Sequence, residues 1–248
     1  MIFFKKKKIT IDCFTDNSSV YNHHPIEPSG THIPDWFKNL PIENSEEFHG
    51  MMISRPSMKR CPGFLTLYKS SFTFPLWSDV QITTTDNSFN YAMALTFIDN
   101  GVQHHNKWQY GNTFDDYIHA KLVSPWFLQS KKYLEIACMP AIWHSPKHWE
   151  DFVILPGITD FKFQNSININ LFLKKNREKI FVEAGTPLYN LVLLSDDNVE
   201  IKCHLVDTSE MNKIFLSNRF GTFSGDWRKI KKSMSTKESR CPFNIWKK

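Results

Sequence analysis

Long apolar runs are missing from this sequence. No stretch approaches the roughly 18 consecutive apolar residues that a membrane-spanning helix needs, so no membrane contact is expected. The start of the chain is also unlike a secretory signal, because Lys5–Lys8 follow the first apolar residues and no long apolar stretch comes after them. The sequence therefore predicts a protein that stays in the cytoplasm.

Cysteine is sparse and scattered. The five cysteines are odd in number and no two of them form a C-x-x-C pair, which argues against a zinc ribbon or a thioredoxin-like site. In a reducing cytoplasm they are expected to be free thiols. Cys138 and Cys203 lie in apolar runs and are expected in the core.

Three common catalytic signatures are absent as well. The chain has no G-x-S-x-G, no phosphate-binding P-loop and no G-x-G-x-x-G. Their absence disfavours the hydrolases, nucleoside triphosphatases and dinucleotide-binding enzymes that carry these motifs. Enzymatic activity is left open by these absences.

Apolar and aromatic residues, in contrast, are plentiful. Apolar residues make up 41% of the chain and aromatic residues 15%, with 21 Phe and 8 Trp, which is enough to build a large core. The net charge of +5 is concentrated near the two ends, at Lys5–Lys8 and from Lys229 to the C-terminus. These ends could touch nucleic acid or an acidic protein partner, although charge that merely keeps the protein soluble is the favoured explanation.

Proline divides the first quarter of the chain. Residues 15–63 carry six prolines, which rules out long helices and central strands there. Only Asp35–Leu40, between Pro34 and Pro41, has the character of a helical turn. We expect residues 1–63 to form a long arm that wraps the domain, with Trp36 and Phe37 buried against it.

The middle of the chain has the pattern of an all-β protein. From residue 64 to about 205, short apolar runs alternate with turn signals, and Ile167–Leu173 alternates strictly between apolar and polar residues. The turn Asp99-Asn-Gly101 predicts a hairpin between its flanking runs. The spacing favours a β-sandwich or jelly roll, so that residues 1–207 form one domain including the arm.

After Asp207 the pattern becomes helical. Thr208-Ser-Glu begins a helix with Met211, Ile214 and Phe215 on one face. Residues 208–248 are therefore predicted to form a basic helical tail, with a second helix over Trp227–Met234. Three lysines of that helix could bind an acidic partner, namely Lys229, Lys231 and Lys232.

Five short motifs stand out along the chain, namely Pro34-Asp-Trp-Phe-Lys-Asn-Leu-Pro41, Lys59-Arg-Cys-Pro-Gly-Phe64, Phe74-Pro-Leu-Trp-Ser-Asp79, Leu155-Pro-Gly-Ile-Thr-Asp-Phe161 and Arg240-Cys-Pro-Phe243. Together they resemble an uncharacterised protein family of tailed phages that infect marine cyanobacteria. Gly157 to Leu188 is also similar to part of a bacterial domain family of unknown function. The resemblance implies a viral origin, a host-cytoplasm location and a β fold, and it brings no catalytic residues.

One histidine pattern has the character of a metal site. His148 and Glu150 form an H-x-E triplet, His204 lies on a later strand, and Arg219 follows fifteen residues beyond. On a jelly roll, two histidines and a carboxylate can hold Fe(II) in an oxygenase, with a basic residue gripping 2-oxoglutarate. The adjacent pair His104-His105 is instead expected to be solvated in a loop.

Two functions follow as hypotheses. The first is a non-catalytic phage accessory protein that binds a host or virion partner and needs no cofactor. The alternative is a jelly-roll oxygenase that uses Fe(II) and 2-oxoglutarate at His148, Glu150, His204 and Arg219.

Overall fold

The computed structural model describes residues 8–94, 101–105, 109–111, 113–144, 146–148, 150–195 and 197–216. This part of the chain is mostly β, as predicted. Its strands in chain order are β1 (Lys8–Thr15), β2 (Glu27–Pro28), β3 (Glu43–Phe48), β4 (Met51–Pro56), β5 (Ser71–Pro75), β6 (Val80–Thr84), β7 (Phe89–Met93), β8 (Val102–His104), β9 (Tyr117–Ser130), β10 (Glu135–Pro140), β11 (Phe152–Ile154), β12 (Gly157–Asp160), β13 (Ser166–Lys174), β14 (Ile180–Val182), β15 (Pro187–Leu193) and β16 (Asn198–Leu205). The α-helices are α1 (Ser18–His23), α2 (Asp35–Asn39), α3 (Pro62–Lys69) and α4 (Thr208–Leu216).

The largest sheet has six strands in the order β11-β13-β9-β1-β16, with β8 also paired to β9. Strands β1 and β16 run parallel over their whole length, from Lys8 opposite Asn198 to Thr15 opposite Leu205. The other pairs of this sheet are antiparallel. A jelly roll is built from antiparallel strands, so the parallel pair does not fit the jelly-roll alternative.

A second sheet has five strands in the order β12-β10-β15-β5-β2, and a third joins β14, β6 and β7. Buried residues of all three sheets belong to one apolar cluster. Strand β13 places Ile167, Ile169, Leu171 and Leu173 in that cluster, which confirms the alternation predicted from its sequence. Cys138 is buried there, whereas Cys203 is only half-buried.

Trp126 is the largest side chain that β9 contributes to the core, and it has no solvent exposure. It follows Pro125 and lies where the β9–β13 ladder is irregular, next to Phe127, which pairs with both β13 and β1. The indole Nε1 donates a hydrogen bond of 3.2 Å to the backbone oxygen of His24. This bond attaches the segment after α1 to the centre of the large sheet.

The Pro-rich segment contains more secondary structure than an extended arm. Helix α2 confirms the predicted helical turn. The β pattern expected from residue 64 onwards is wrong as far as Lys69, because these residues belong to helix α3. Phe37 and Phe64 stack with ring centroids 4.2 Å apart in a small separate cluster. Phe37 is buried, but in this separate cluster and not in the main core of the domain, and Trp36 is 37% exposed, so its predicted burial is wrong.

The hairpin formed by β3 and β4 was not predicted from the sequence. Strands β3 and β4 pair only with each other among the described residues, and nearly all of their side chains are exposed. The hairpin predicted around Asp99-Asn-Gly101 has most of its turn and parts of both flanking runs outside the described residues, in which β7 pairs with β6 and β8 pairs with β9.

Helix α4 begins at Thr208, as predicted. Met211 and Ile214 pack against Phe127 of β9, and the Asn165 amide donates to the Ile214 backbone oxygen at 2.7 Å. Phe215 is exposed. The predicted basic helix over 227–234 lies outside the described residues. In the described part of the chain, no helix has the length and apolar character needed to cross a membrane.

Candidate binding pocket

An apolar pocket opens between one edge of the six-stranded sheet and the five-stranded sheet. Strand β10 ends at Pro140, and a 3-10 turn over Ile142–His144 leads the chain away from it. A second 3-10 turn, Pro146–His148, leads back to the edge strand β11. The backbone amide of Ala141 donates to the Leu188 oxygen at 2.9 Å, which fixes this connection to the start of β15.

The pocket has a volume of about 310 Å³ and is lined almost entirely by carbon. This is the lower end of the size range for sites that hold small ligands. Two of its lining residues remain solvent-exposed, Ile142 at 50% and Val153 at 44%, so the rim is apolar too. The full lining comprises Pro140, Ala141, Ile142, His148, Phe152, Val153, Ile154, Thr186, Pro187 and Leu188.

His148 supplies the ionisable group of this pocket. Its side chain is 6% exposed and stacks on Phe152, with ring centroids 5.3 Å apart. Among the described residues, its Nε2 has no hydrogen-bond partner. Burial lowers the pKa of His148 and neighbouring Lys147 adds to this, while the carboxylates of Asp151 and Glu183 oppose it. The ring is therefore neutral at neutral pH, with one nitrogen available to a ligand.

Strand β11 presents a free backbone edge beside the pocket. The Lys174 backbone amide donates to the backbone oxygen of Asp151, and the Leu155 backbone amide donates to the backbone oxygen of Asn170, both at 2.9 Å. Because hydrogen-bonded and non-bonded pairs alternate in an antiparallel ladder, the backbone groups of Phe152 and Ile154 point away from β13. No other described strand pairs with β11.

The structure does not bring the predicted metal ligands together. His148 precedes β11 at one edge of the large sheet, and His204 lies on β16 at the other edge. Four strand spacings of 4.7–4.9 Å separate these edges by about 19 Å, whereas metal–nitrogen bonds are about 2 Å long. Glu150 is exposed and does not line the pocket. The H-x-E…H metal site is therefore wrong as a prediction.

His204 has a different environment. Its Nε2 lies 2.9 Å from Oδ1 of Asp12, and its ring stacks on Phe14 with centroids 5.0 Å apart. These contacts occupy the imidazole in joining β16 to β1. Across the described residues, no group of three or more His, Cys, Asp or Glu side chains could hold a metal ion.

Other predicted site residues lie outside the part of the chain that the structure describes. Arg219, the predicted 2-oxoglutarate contact, is one of them, and the partner-binding lysines Lys229, Lys231 and Lys232 are the others. The binding role of the lysines stays a prediction.

Sequence analysis identified His148 but not the pocket that it lines. The walls include residues at the end of β10 and at the start of β15, such as Pro140 and Pro187. Nothing in the sequence places the start of β15 beside the turn after β10, because that contact arises from pairing between the two strands.

Comparison of the chain with protein-family models, with curated proteins and with solved structures finds no match.

Proposed function

We propose that this chain is a non-catalytic phage accessory protein that binds an extended segment of a host or virion protein along the edge of β11. The observation that carries the proposal is the apolar pocket directly beside this edge. The resemblance to phage proteins supports the nature of the partner. The proposed architecture is a β-sandwich, with the six- and five-stranded sheets facing each other across the shared core.

Strand addition explains why the pocket and the edge occur together. A peptide that extends a sheet gains affinity from main-chain hydrogen bonds and specificity from pockets that receive alternate side chains. Here the outward backbone groups of Phe152 and Ile154 would bond to the peptide main chain. One apolar side chain of the partner would enter the pocket between Ile142 and Val153.

His148 provides selectivity inside this pocket. A buried polar atom that lacks a partner is costly, and a ligand that bonds to it removes this cost. We expect the preferred partner side chain to be largely apolar with one hydrogen-bonding group that reaches Nε2. Tyrosine and tryptophan have this character.

Selection from a displayed library of random peptides tests the proposal. Enriched peptides should share an apolar or aromatic residue within an extended motif. Ile142→Lys and Val153→Lys should each raise the Kd of an enriched peptide at least about tenfold, because each places a charge at the apolar rim.

Leu205→Lys is the matched control, since Leu205 is 47% exposed on β16 at the opposite edge of the sheet. It should bind the peptide like the wild type, and all three variants should keep the wild-type melting temperature. Failure to enrich any peptide, or equal loss of binding in the control, would overturn the proposal. Binding of free hydrophobic molecules without peptide binding would also overturn it.

A further inference from the structure

A second cavity, separate from the pocket at β11, lies where β9 begins and β13 ends. It has a volume of about 360 Å³, and much of its surface is polar. The turn between β6 and β7 closes one side. We name it the histidine cleft, and its lining residues are Asp86, Asn87, His104, His105, Tyr110, Tyr117, Ile118, His119 and Lys175. None of them lines the first pocket.

His119 is the central feature of the histidine cleft. Its side chain is only 8% exposed, and neither ring nitrogen has a partner within hydrogen-bond distance among the described residues, although the Asn170 side chain is near enough to act on its pKa. The ring is held by aromatic contacts, with its centroid 4.3 Å from that of His105 and 5.1 Å from that of Phe172. Buried polar groups in folded proteins are nearly always bonded, so this exception needs an explanation. A ligand in the cleft would supply the missing bond.

The arrangement of the rings disfavours a shared metal ion. His105 and His119 are stacked with only 24° between their planes. Nitrogen lone pairs lie in the ring plane, so those of two stacked rings run nearly parallel and do not converge on one point. They suit a ligand with several separated acceptor atoms instead.

The charges lining the cleft favour an anion. Lys175 provides a cation beside the three imidazoles. Asp86 is the carboxylate among the lining residues, and its Oδ1 already accepts a hydrogen bond of 2.7 Å from the Asn176 amide. Imidazole N–H groups, an ammonium and tyrosine hydroxyls are all donors to oxyanions.

We propose that the histidine cleft binds a tetrahedral oxyanion, either inorganic phosphate or the phosphate group of a small molecule. Bonds from His105, His119 and Lys175 would reach different oxygens of the same group. The proposal does not depend on peptide binding at β11, because the two sites have no residue in common.

Anion binding at this cleft should strengthen as the pH falls. In the free protein, burial lowers the pKa of His119, and the nearby His105 lowers it further, while the Asn170 side chain opposes both effects. A bound anion stabilises the protonated imidazole and so raises this pKa. The resulting gain in anion affinity is complete below the pKa of the free protein and disappears above the higher pKa of the complex. The other titratable or charged groups around His119 are His104, Tyr110, Tyr117, Lys121, Lys175 and Asp86.

Calorimetric titration with sulfate tests the site without interference from ligand protonation, because sulfate stays fully ionised in this range. At constant ionic strength, the Kd should be at least about tenfold lower at about pH 5.5 than at about pH 8. Inorganic phosphate and glycerol phosphate then distinguish the free ion from an ester. Acetate, which is planar and carries less charge, should bind more weakly.

Three substitutions make the test specific. Lys175→Gln and His119→Gln should each weaken sulfate binding about tenfold, whereas Asp86→Asn should strengthen it severalfold because it removes a repulsive charge. Asn can keep the contact with Asn176, and Lys175 is only half-buried, so neither change should disturb folding. His204→Gln is the matched histidine control and should leave binding unchanged.

Weaker binding in Asp86→Asn would indicate a cation site and would overturn the proposal. So would sulfate binding that is absent, or equal in Lys175→Gln and wild type. An affinity that does not change with pH would show that the imidazoles do not bind the anion, and it would also overturn the proposal.

Discussion

The Tyr68 hydroxyl lies 2.8 Å from Nε2 of His144, which joins helix α3 to the turn that follows β10. Burial raises the pKa of Tyr68 and lowers that of His144 to about 4, with smaller contributions to the latter from His32 and Lys38. Both groups are therefore neutral at neutral pH. The bond therefore holds α3 against the part of the chain that forms one wall of the apolar pocket.

Acid should weaken this link. The pKa of His144 is about 4 in the folded state against an ordinary 6.5, so the unfolded chain takes up the proton first. The contribution of neutral His144 to the free energy of unfolding is complete above about pH 6.5. It should fall by about 1–2 kcal/mol towards pH 4, an amount reduced because the ring is partly solvated. His144→Gln can still bond to Tyr68 but does not titrate, so urea unfolding should show a flatter acid limb. Equal acid sensitivity of both proteins would contradict this.

The two neighbouring aromatics of α2 should differ in their contribution to stability. Phe37→Ala should cost about 3 kcal/mol, as large truncations in cores do. Trp36 is more exposed, and its Nε1 donates to the Trp143 backbone oxygen at 2.9 Å, so Trp36→Ala should cost about 1–2 kcal/mol. Urea unfolding of both variants measures the difference, and a larger cost at Trp36 would contradict the packing described for this cluster.

Removal of the indole nitrogen from the core should be costly. Trp126→Phe leaves a void and deprives the His24 oxygen of its donor, so we expect a loss of about 2–3 kcal/mol. Trp126 has no exposure, so surface effects do not complicate the measurement. Urea unfolding followed by circular dichroism measures this loss in the free energy of unfolding. A loss below about 0.5 kcal/mol would show that the contact contributes little to stability.

The hairpin formed by β3 and β4 should be dispensable for folding. The Ser57 amide donates to the Ile42 oxygen at 3.0 Å, so the chain ends are already adjacent at the hairpin base. Replacing Glu43–Pro56 with two glycines should change stability by less than about 1 kcal/mol, because exposed ion pairs such as Arg60–Glu43 contribute little. Thermal melting of the shortened protein provides the test. A large drop in melting temperature would mean that the hairpin packs on the domain.

Local pattern was sufficient to predict several elements. Strand β13 follows from strict alternation, α2 from the prolines on both sides, and the start of α4 from its capping residues. Helix α3 was missed although Pro62 occupies its first turn, where proline is favoured. Its eight residues are too few to give a clear helical period.

Long-range placement was not predictable in the same way. The distance between His148 and His204 depends on which edge each strand occupies, and no feature of either segment encodes that position. His104 and His105 both line the histidine cleft, and they stack on different rings, Phe89 and His119. Their partners Phe89 and His119 come from other strands, which is why solvation was expected instead of stacking.

The parallel pairing of β1 with β16 has a consequence for synthesis of the protein. The paired residues are 190 positions apart, so one side of β1 has no neighbour until nearly all of the described chain has been made. At ribosomal speeds of about 5–20 residues per second, this interval lasts roughly 10 to 40 seconds. During that time the nascent chain carries an open strand edge that can pair wrongly with other chains. Chaperone supply or slower growth at low temperature should therefore raise the soluble yield more than stabilising substitutions in the core.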